Sequence, residues 1–155
     1  MSLTDRELLE LAARAAGLKI NQAFQAQRDA VVDPAKASLW IDDGSTAWNP
    51  LTDDGHALRL VVILRLQVVM HADWVEVLQD GIRMANATSE YFAGCMFATA
   101  RAAIVRAAAE IQRREVEELI CDQCRGEARV GGMDPAEGGK SCGACDGTGM
   151  YQEKH

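Results

Sequence analysis

Two Cys-X-X-Cys pairs near the C-terminus, Cys121/Cys124 and Cys142/Cys145, constrain this chain more than any other feature. Residues 125–141 separate them, within the spacing of about 15–20 residues that marks a four-cysteine zinc site. Four thiolates suit the tetrahedral preference of Zn²⁺. Each Cys-X-X-Cys turn puts two sulfurs on one side of a metal. Gly126 and Gly147 stand where backbone N–H groups can turn toward those sulfurs. Energetics point the same way. From Cys121 onward the larger apolar side chains are Val130, Met133, Met150 and Tyr151. Ordering backbone costs about 1–2 kcal/mol per residue, which so few side chains cannot offset. A structural zinc ion supplies about 10–16 kcal/mol. The expected ligands are therefore Cys121, Cys124, Cys142 and Cys145 around one structural Zn²⁺. Closed four-cysteine coordination favours a structural over a catalytic role. Iron in a rubredoxin-like site and a pair of regulated disulfides are competing uses of the same residues.

The whole chain of 155 residues is long enough for one modest core plus this appendage. Its formal charge of -7 speaks against general nucleic-acid binding, which needs clustered Lys and Arg to displace counterions. The tail is itself acidic, with Arg125, Arg129, Lys140 and Lys154 against Asp122, Glu127, Asp134, Glu137, Asp146 and Glu153. The apolar run Leu60 to Leu64 is far too short to span a membrane. Asp5, Glu7 and Glu10 near the start, with no basic flank before an apolar core, predict no secretory signal. Tightly paired cysteines in such a chain favour a reducing cytoplasm.

Along the body, Thr4 and Glu7 form a capping-box pattern. Leu8, Leu11, Ala12 and Ala15 then predict a helix face, stopped at Gly17. Leu18 to Ala37 is ambiguous: Leu18-Lys19-Ile20 could start a strand, Gln22 to Asp33 is polar and mixed, and Pro34 breaks what precedes it. Leu39-Trp40-Ile41 predicts a short strand ending at an Asp42-Asp43-Gly44 turn. Trp48 to His56 reads as an ordered loop feeding a second helix capped by Thr52 or Asp53. That helix, Ala57 to Leu66, is apolar almost all round and so is expected to be largely buried. Val68-Val69-Met70, Trp74 to Leu78 and Ile82-Arg83-Met84 predict strands, the last two joined by an Asp80-Gly81 hairpin. Asn86 to Glu90 reads as a polar loop. A long helix then runs to about Leu119, with Phe97, Ala100, Ile104, Ala107, Ala108 and Ile111 inward. Beyond Ile111 it turns charged and is expected to project into solvent. The sum is an α+β fold: a small sheet with packed helices, a sandwich, and a long C-terminal helix leading into a zinc-ribbon-like tail. The expected parts are residues 1–111 as body, 112–120 as a helical stalk and 121–150 as the metal module.

Two resemblances follow. Trp48-Asn49-Pro50-Leu51-Thr52-Asp53-Asp54-Gly55 with Ala57 to Leu60, and Arg101 to Ala109, resemble the motifs of a family of small tailed-phage and prophage proteins with an α/β/α sandwich domain. The likeness covers roughly Glu7 to Ile111. It implies phage or prophage origin and the bacterial host cytoplasm, and no known activity. The second knuckle, CxxCxGxG from Cys142 to Gly149, is similar to the cysteine-rich repeat of Hsp40-type chaperones. The first has Ala128 in place of the last glycine. Those chaperones use four such repeats for two zinc sites, so two repeats imply one.

Other candidates have plainer readings. Asp53, Asp54 and His56 could hold magnesium or a catalytic water, but acids at a helix start commonly cap it. His71 lies in a turn and is expected to be solvated. Cys95, without a partner, reads as a small buried hydrophobe. Trp40, Trp48 and Trp74 read as core anchors. Arg101, Arg106, Arg113 and Arg114, matched by Glu110, Glu115, Glu117 and Glu118, read as a solvated face. The function expected is a non-enzymatic, zinc-binding accessory protein that docks to protein, with nucleic acid disfavoured by charge and no membrane. The alternatives are a metal-dependent hydrolase or nuclease using Asp53 and Asp54, and a purely structural homo-oligomer pairing through Val116, Leu119 and Ile120.

Overall fold

The computed structural model describes residues 3–32, 38–41, 46–120, 125, 129–130, 140–141 and 150. Thr4 opens the first helix, α1 (Asp5–Ala15), as the capping box requires. Its hydroxyl oxygen accepts the Glu7 N–H, and the Glu7 carboxylate accepts the Thr4 N–H at 2.8 Å. Gly17 closes it at φ 68, where glycine carries no steric penalty. The Leu18 N–H reaches Ala13 O and the Gly17 N–H reaches Arg14 O, each at 2.9 Å, the paired bonds of a Schellman end. The buried face is Leu9, Ala12 and Ala13 with Leu8 packed beside it. It is turned toward Leu9 from the expected stripe, in which Leu11 and Ala15 were central.

The ambiguous stretch holds a second helix, α2 (Gln22–Asp29), capped by the Asn21 side chain on the Phe24 N–H. No apolar period announces it, because a polar network holds it. Gln25 is 3% exposed. It donates to Asp29 Oδ1 at 2.9 Å and accepts the Trp40 N–H at 3.0 Å. Arg6 of α1 grips the same Asp29 carboxylate at 3.1 and 3.3 Å. One buried amide and one ion pair thus join α1, α2 and the following strand.

That strand, β1 (Leu39–Ile41), is as expected, but it has a partner the sequence hid. β2 (Thr46–Trp48) pairs with it antiparallel, Leu39 opposite Trp48, and both side chains are buried. Ile20 forms a bridge to Ile41 and no longer strand. The expected turn at Asp42-Asp43-Gly44 and the break at Pro34 lie outside the described residues.

Helix α3 (Asp54–Ile63) corrects an expectation. It is apolar almost all round beyond its first turn, Arg59 excepted, yet only Ala57 and Leu60 within it are buried. Leu58, Val62 and Ile63 are 61, 69 and 50% exposed. The rest of the body covers one side of this helix and leaves the other bare. A second antiparallel sheet follows, of β3 (Gln67–Met70), β4 (Trp74–Gln79) and β5 (Ile82–Thr88) in that order. Asp80 and Gly81, at φ 51 and 79, make the hairpin turn, the left-handed pair that a type I′ turn demands. Val77 pairs with Ala85 but Leu78 pairs with Arg83, so Met84 is an extra residue, a β-bulge. Val75, Val77 and Ala87 face the core.

On the outer face Asn86 stands opposite Glu76. A polar residue is at home there, so β5 runs on through Thr88, where a loop was expected, and a 3₁₀ turn (Ser89–Phe92) follows. His71 is not a solvated turn residue. Its ring stacks on Trp74 with centroids 3.7 Å apart. Of the three tryptophans only Trp48 is fully in the core; Trp40 and Trp74 are half-buried.

Helix α4 (Met96–Leu119) has the expected extent, but its burial is broader than one stripe. Ala102, Ala103, Ile104, Val105, Ala107, Ala108 and Ala109 are all buried, with Arg106 the exposed exception. Phe97, expected inward, is 73% exposed. Cys95, just before the helix, is exposed and not a core residue. The fold is therefore α+β, with four helices and two small antiparallel sheets around one core. The chain divides into two compact units, Met1–Gln112 and Arg113–His155. In the second, β6 (Arg129–Val130) pairs antiparallel with β7 (Lys140–Ser141), and Ile120 bridges to Met150. No helix among the described residues is long and apolar enough to cross a membrane.

Because α4 packs closely on its neighbours through its own small side chains between Ala102 and Ala109, enlargement there is expected to be costly. Ala103→Leu should lose about 1–3 kcal/mol of unfolding free energy in urea titration. Arg106→Leu, on the exposed position of the same helix, should stay within about 0.5 kcal/mol of the parent.

Candidate functional site

The segment Trp48–His56 is built around Asn49. Trp48, 2% exposed, and the buried Pro50 fix it to the core. The Asn49 side-chain oxygen accepts the Leu51 N–H at 3.0 Å. Its carbonyl accepts the Thr52 and Asp53 N–H groups at 3.2 and 3.0 Å. Its own N–H donates to His56 Nδ1 at 3.3 Å. The chain thus enters α3 through a locked turn, and Asp53, one of the two expected caps, accepts the His56 N–H at 2.8 Å. That N–H holds Asp53 below the ordinary carboxylate range against the opposing effect of desolvation.

Asp54 is taken by a residue the sequence had placed on a solvated face. Arg101 of α4 donates Nη1 to Asp54 Oδ1 at 2.6 Å and Nε to Leu51 O at 2.8 Å. Its side chain is mostly buried while that of Asp54 is not. Nothing in the sequence links positions so far apart. The only hint is that Arg101 interrupts a run of small residues on α4.

The structure therefore brings Asp53, Asp54 and His56 together, but each is engaged in holding the turn. Asp53 is a cap, Asp54 is neutralised by a guanidinium, and His56 Nδ1 is an acceptor for backbone. Among the described residues no three His, Cys, Asp or Glu side chains are grouped to hold a metal ion.

Beside this turn lies an open groove of about 440 Å³ between α3 and α4. Leu58, Val61, Val68, Phe97, Ala100 and Ile104 line it, and the Asp54–Arg101 pair stands at its edge. A second shallow apolar hollow flanks α3 at Gly55, Leu58, Arg59, Val62 and Ile63. Sequence reasoning missed this surface because periodicity reports that a side chain is apolar, not whether anything covers it.

The four cysteines, Cys121, Cys124, Cys142 and Cys145, lie outside the described residues. The residues that frame them are described. Ile120 pairs with Met150, and Arg129–Val130 with Ser141–Lys140, each antiparallel and with the same sum of residue numbers. Arg125, directly after Cys124, has φ 50.

No family model matches this chain, and neither a curated protein nor a solved structure matches it.

Replacing Asp53 by Ala should lower the melting temperature by roughly 5 °C through loss of the cap. Asp53 has a depressed folded pKa, so its contribution is fully present above the unfolded value of about 3.9 and fades as pH falls through the folded one. Melting scans of both proteins at falling pH should show the gap closing only in that acid range; a gap that persists at the acid end would refute the cap's electrostatic role.

Proposed function

We propose that this chain is a non-enzymatic interaction protein: a body that docks another protein in the α3–α4 groove, and a tail folded by one structural Zn²⁺. The observation that carries the docking half is the groove itself. Leu58 and Phe97 stand open to water beside it, and an exposed apolar patch of that kind marks an interaction site. An amphipathic helix or apolar peptide suits such a trough. The engaged state of Asp53, Asp54 and His56 favours docking over hydrolysis. The net charge of -7 favours protein over nucleic acid as the partner.

Two features support zinc on Cys121, Cys124, Cys142 and Cys145. The pairing of Ile120 with Met150 and of Arg129 with Ser141 bounds two stretches of equal length, 121–128 and 142–149, each opening on Cys-X-X-Cys. The left-handed Arg125 fits a turn that presents N–H groups to thiolates. The ion would hold the tail together, with no open position for substrate. Resemblance of Trp48–Gly55 to tailed-phage proteins is what supports a phage or prophage setting and the bacterial host cytoplasm.

Elemental analysis of purified protein should find one zinc per chain, lost in Cys142→Ser, and chelation should expose four thiols to alkylation. Five reactive thiols, exposed Cys95 among them, and no metal in the untreated protein would refute the zinc half. For the docking half, Phe97→Asp should abolish a protein cross-link that wild type forms in host cells while leaving the melting temperature unchanged. Retention of that cross-link by Phe97→Asp would exclude the groove.

A further inference from the structure

Among the described residues, two side-chain nitrogens are buried without a hydrogen-bond partner, Trp40 Nε1 and His71 Nε2. An indole N–H has one state. An imidazole nitrogen has two, with a proton and without, and can pass between them near neutral pH. His71 sits at the turn between β3 and β4, where its own N–H donates to Trp74 O at 2.9 Å. Its ring lies flat on the Trp74 ring, 2° from parallel and 3.7 Å away. In that pose Nε2 stands 3.8 Å from Glu76 Oε1. The gap exceeds the reach of a nitrogen donor, about 2.7–3.2 Å, yet a charge on the ring would be felt across it. The other Glu76 oxygen is held by Arg83 Nε at 3.1 Å.

We propose that the β3–β4 turn is a proton-operated latch, in which protonation of His71 joins Nε2–H to the Glu76 carboxylate and fastens the edge of the second sheet. Among the described residues β3 pairs only with β4, so the turn is an end at which that edge strand can be pinned. The charged groups around the ring decide the sign. β4 brings Glu76, whose side chain is mostly covered, and β5 brings Arg83, which stands mostly in water. β3 brings no charge. Asp73 of the turn and Glu90 of the following 3₁₀ turn are both exposed acids and add to the negative side. The repulsion from Arg83 is screened by solvent, so the attraction of the covered Glu76 outweighs it. The Trp74 face favours a cation as well. The neutral ring leaves Nε2 orphaned, whereas the protonated ring gains a charge-assisted bond of about 2.8 Å. A bond that only the protonated ring can make favours the folded chain on the acid side of the histidine range and is lost on the alkaline side.

The latch uses neither the α3–α4 groove nor the cysteines, so it stands or falls apart from both. Melting scans of the full chain at about pH 5 and about pH 8, the bounds of the histidine range, read it out. His71→Phe keeps a ring on Trp74 and removes the proton site. It should lower the melting temperature by about 4 °C more at the acid pH than at the alkaline one, and His71→Gln should show the same extra loss. In a Glu76→Gln background the extra loss should vanish, because the ring then has no carboxylate to meet. In the wild-type chain at the acid pH, proton NMR should show a His71 Nε2–H that exchanges slowly with water. Substitutions of His71 that act equally at the two pH values would overturn the proposal. So would an extra acid loss that survives in Glu76→Gln, or a His71 Nε2–H that exchanges as fast as that of a solvated histidine.

Discussion

The body depends on one constraint: α4 is buried around nearly its whole circumference between Ala102 and Ala109. Only small side chains permit that. A helix lined with Leu would hold its neighbours at 8–10 Å or more on every side, whereas Ala103, Ala107 and Ala108 let them come close. The cost is that alanine contributes little apolar area. Larger residues from elsewhere supply it: Trp48 and Leu39 from the first sheet, Leu60 from α3, Val75 and Val77 from the second sheet, Leu9 from α1. Thr99, fully buried on the same helix, resolves its hydroxyl internally by donating to Cys95 O at 2.8 Å. The core is therefore a shared product of every element, arranged about a helix that could not be a core alone.

The Trp48–His56 turn follows from that arrangement. Arg101 stands at the start of the closed stretch of α4, with most of its side chain covered. Its guanidinium finds a backbone carbonyl at Leu51 and a carboxylate at Asp54. The turn is thereby clamped from both ends, by Trp48 in the core and by Arg101 from α4, and the first turn of α3 has its direction set. With Ala57, Leu60 and Leu64 directed inward, helical geometry leaves Leu58 and Val62 no choice but to face out. The exposed apolar surface is thus a consequence of the clamp and not of poor packing.

What could be read beforehand was whatever is local. The Thr4–Glu7 capping box, the left-handed stop at Gly17, the Asp53 cap and the Asp80-Gly81 hairpin involve residues a few positions apart, and each stands where the sequence put it. What escaped depends on distant partners. Helix α2 is held by Gln25, Asp29 and Arg6, a polar network with no period to detect. β2 is three residues long and exists because β1 lies beside it. The exposure of α3, Phe97 and Cys95 turns on which surfaces the rest of the fold covers, and the pairing of Arg101 with Asp54 on the meeting of two helices. Of the candidate site, the capping residues were legible and the groove was not. The spacing of Cys121, Cys124, Cys142 and Cys145 was the clearest signal of all, yet it speaks to chemistry and not to packing.

The two units differ in what can hold them together. Among the described residues, all members of the buried core cluster lie between Leu9 and Ile111, within the first unit. The tail has the opposite composition: glycines, polar residues and few large apolar side chains between Cys121 and His155. Burial is roughly proportional to apolar area, and that area is scarce there; on the zinc reading proposed above, the ion would supply the folding free energy. On the zinc reading, the body answers to temperature and denaturant, and the tail to metal supply and thiol oxidation. On that reading a single chain carries one unit held by its own apolar core and one whose formation is conditional on metal.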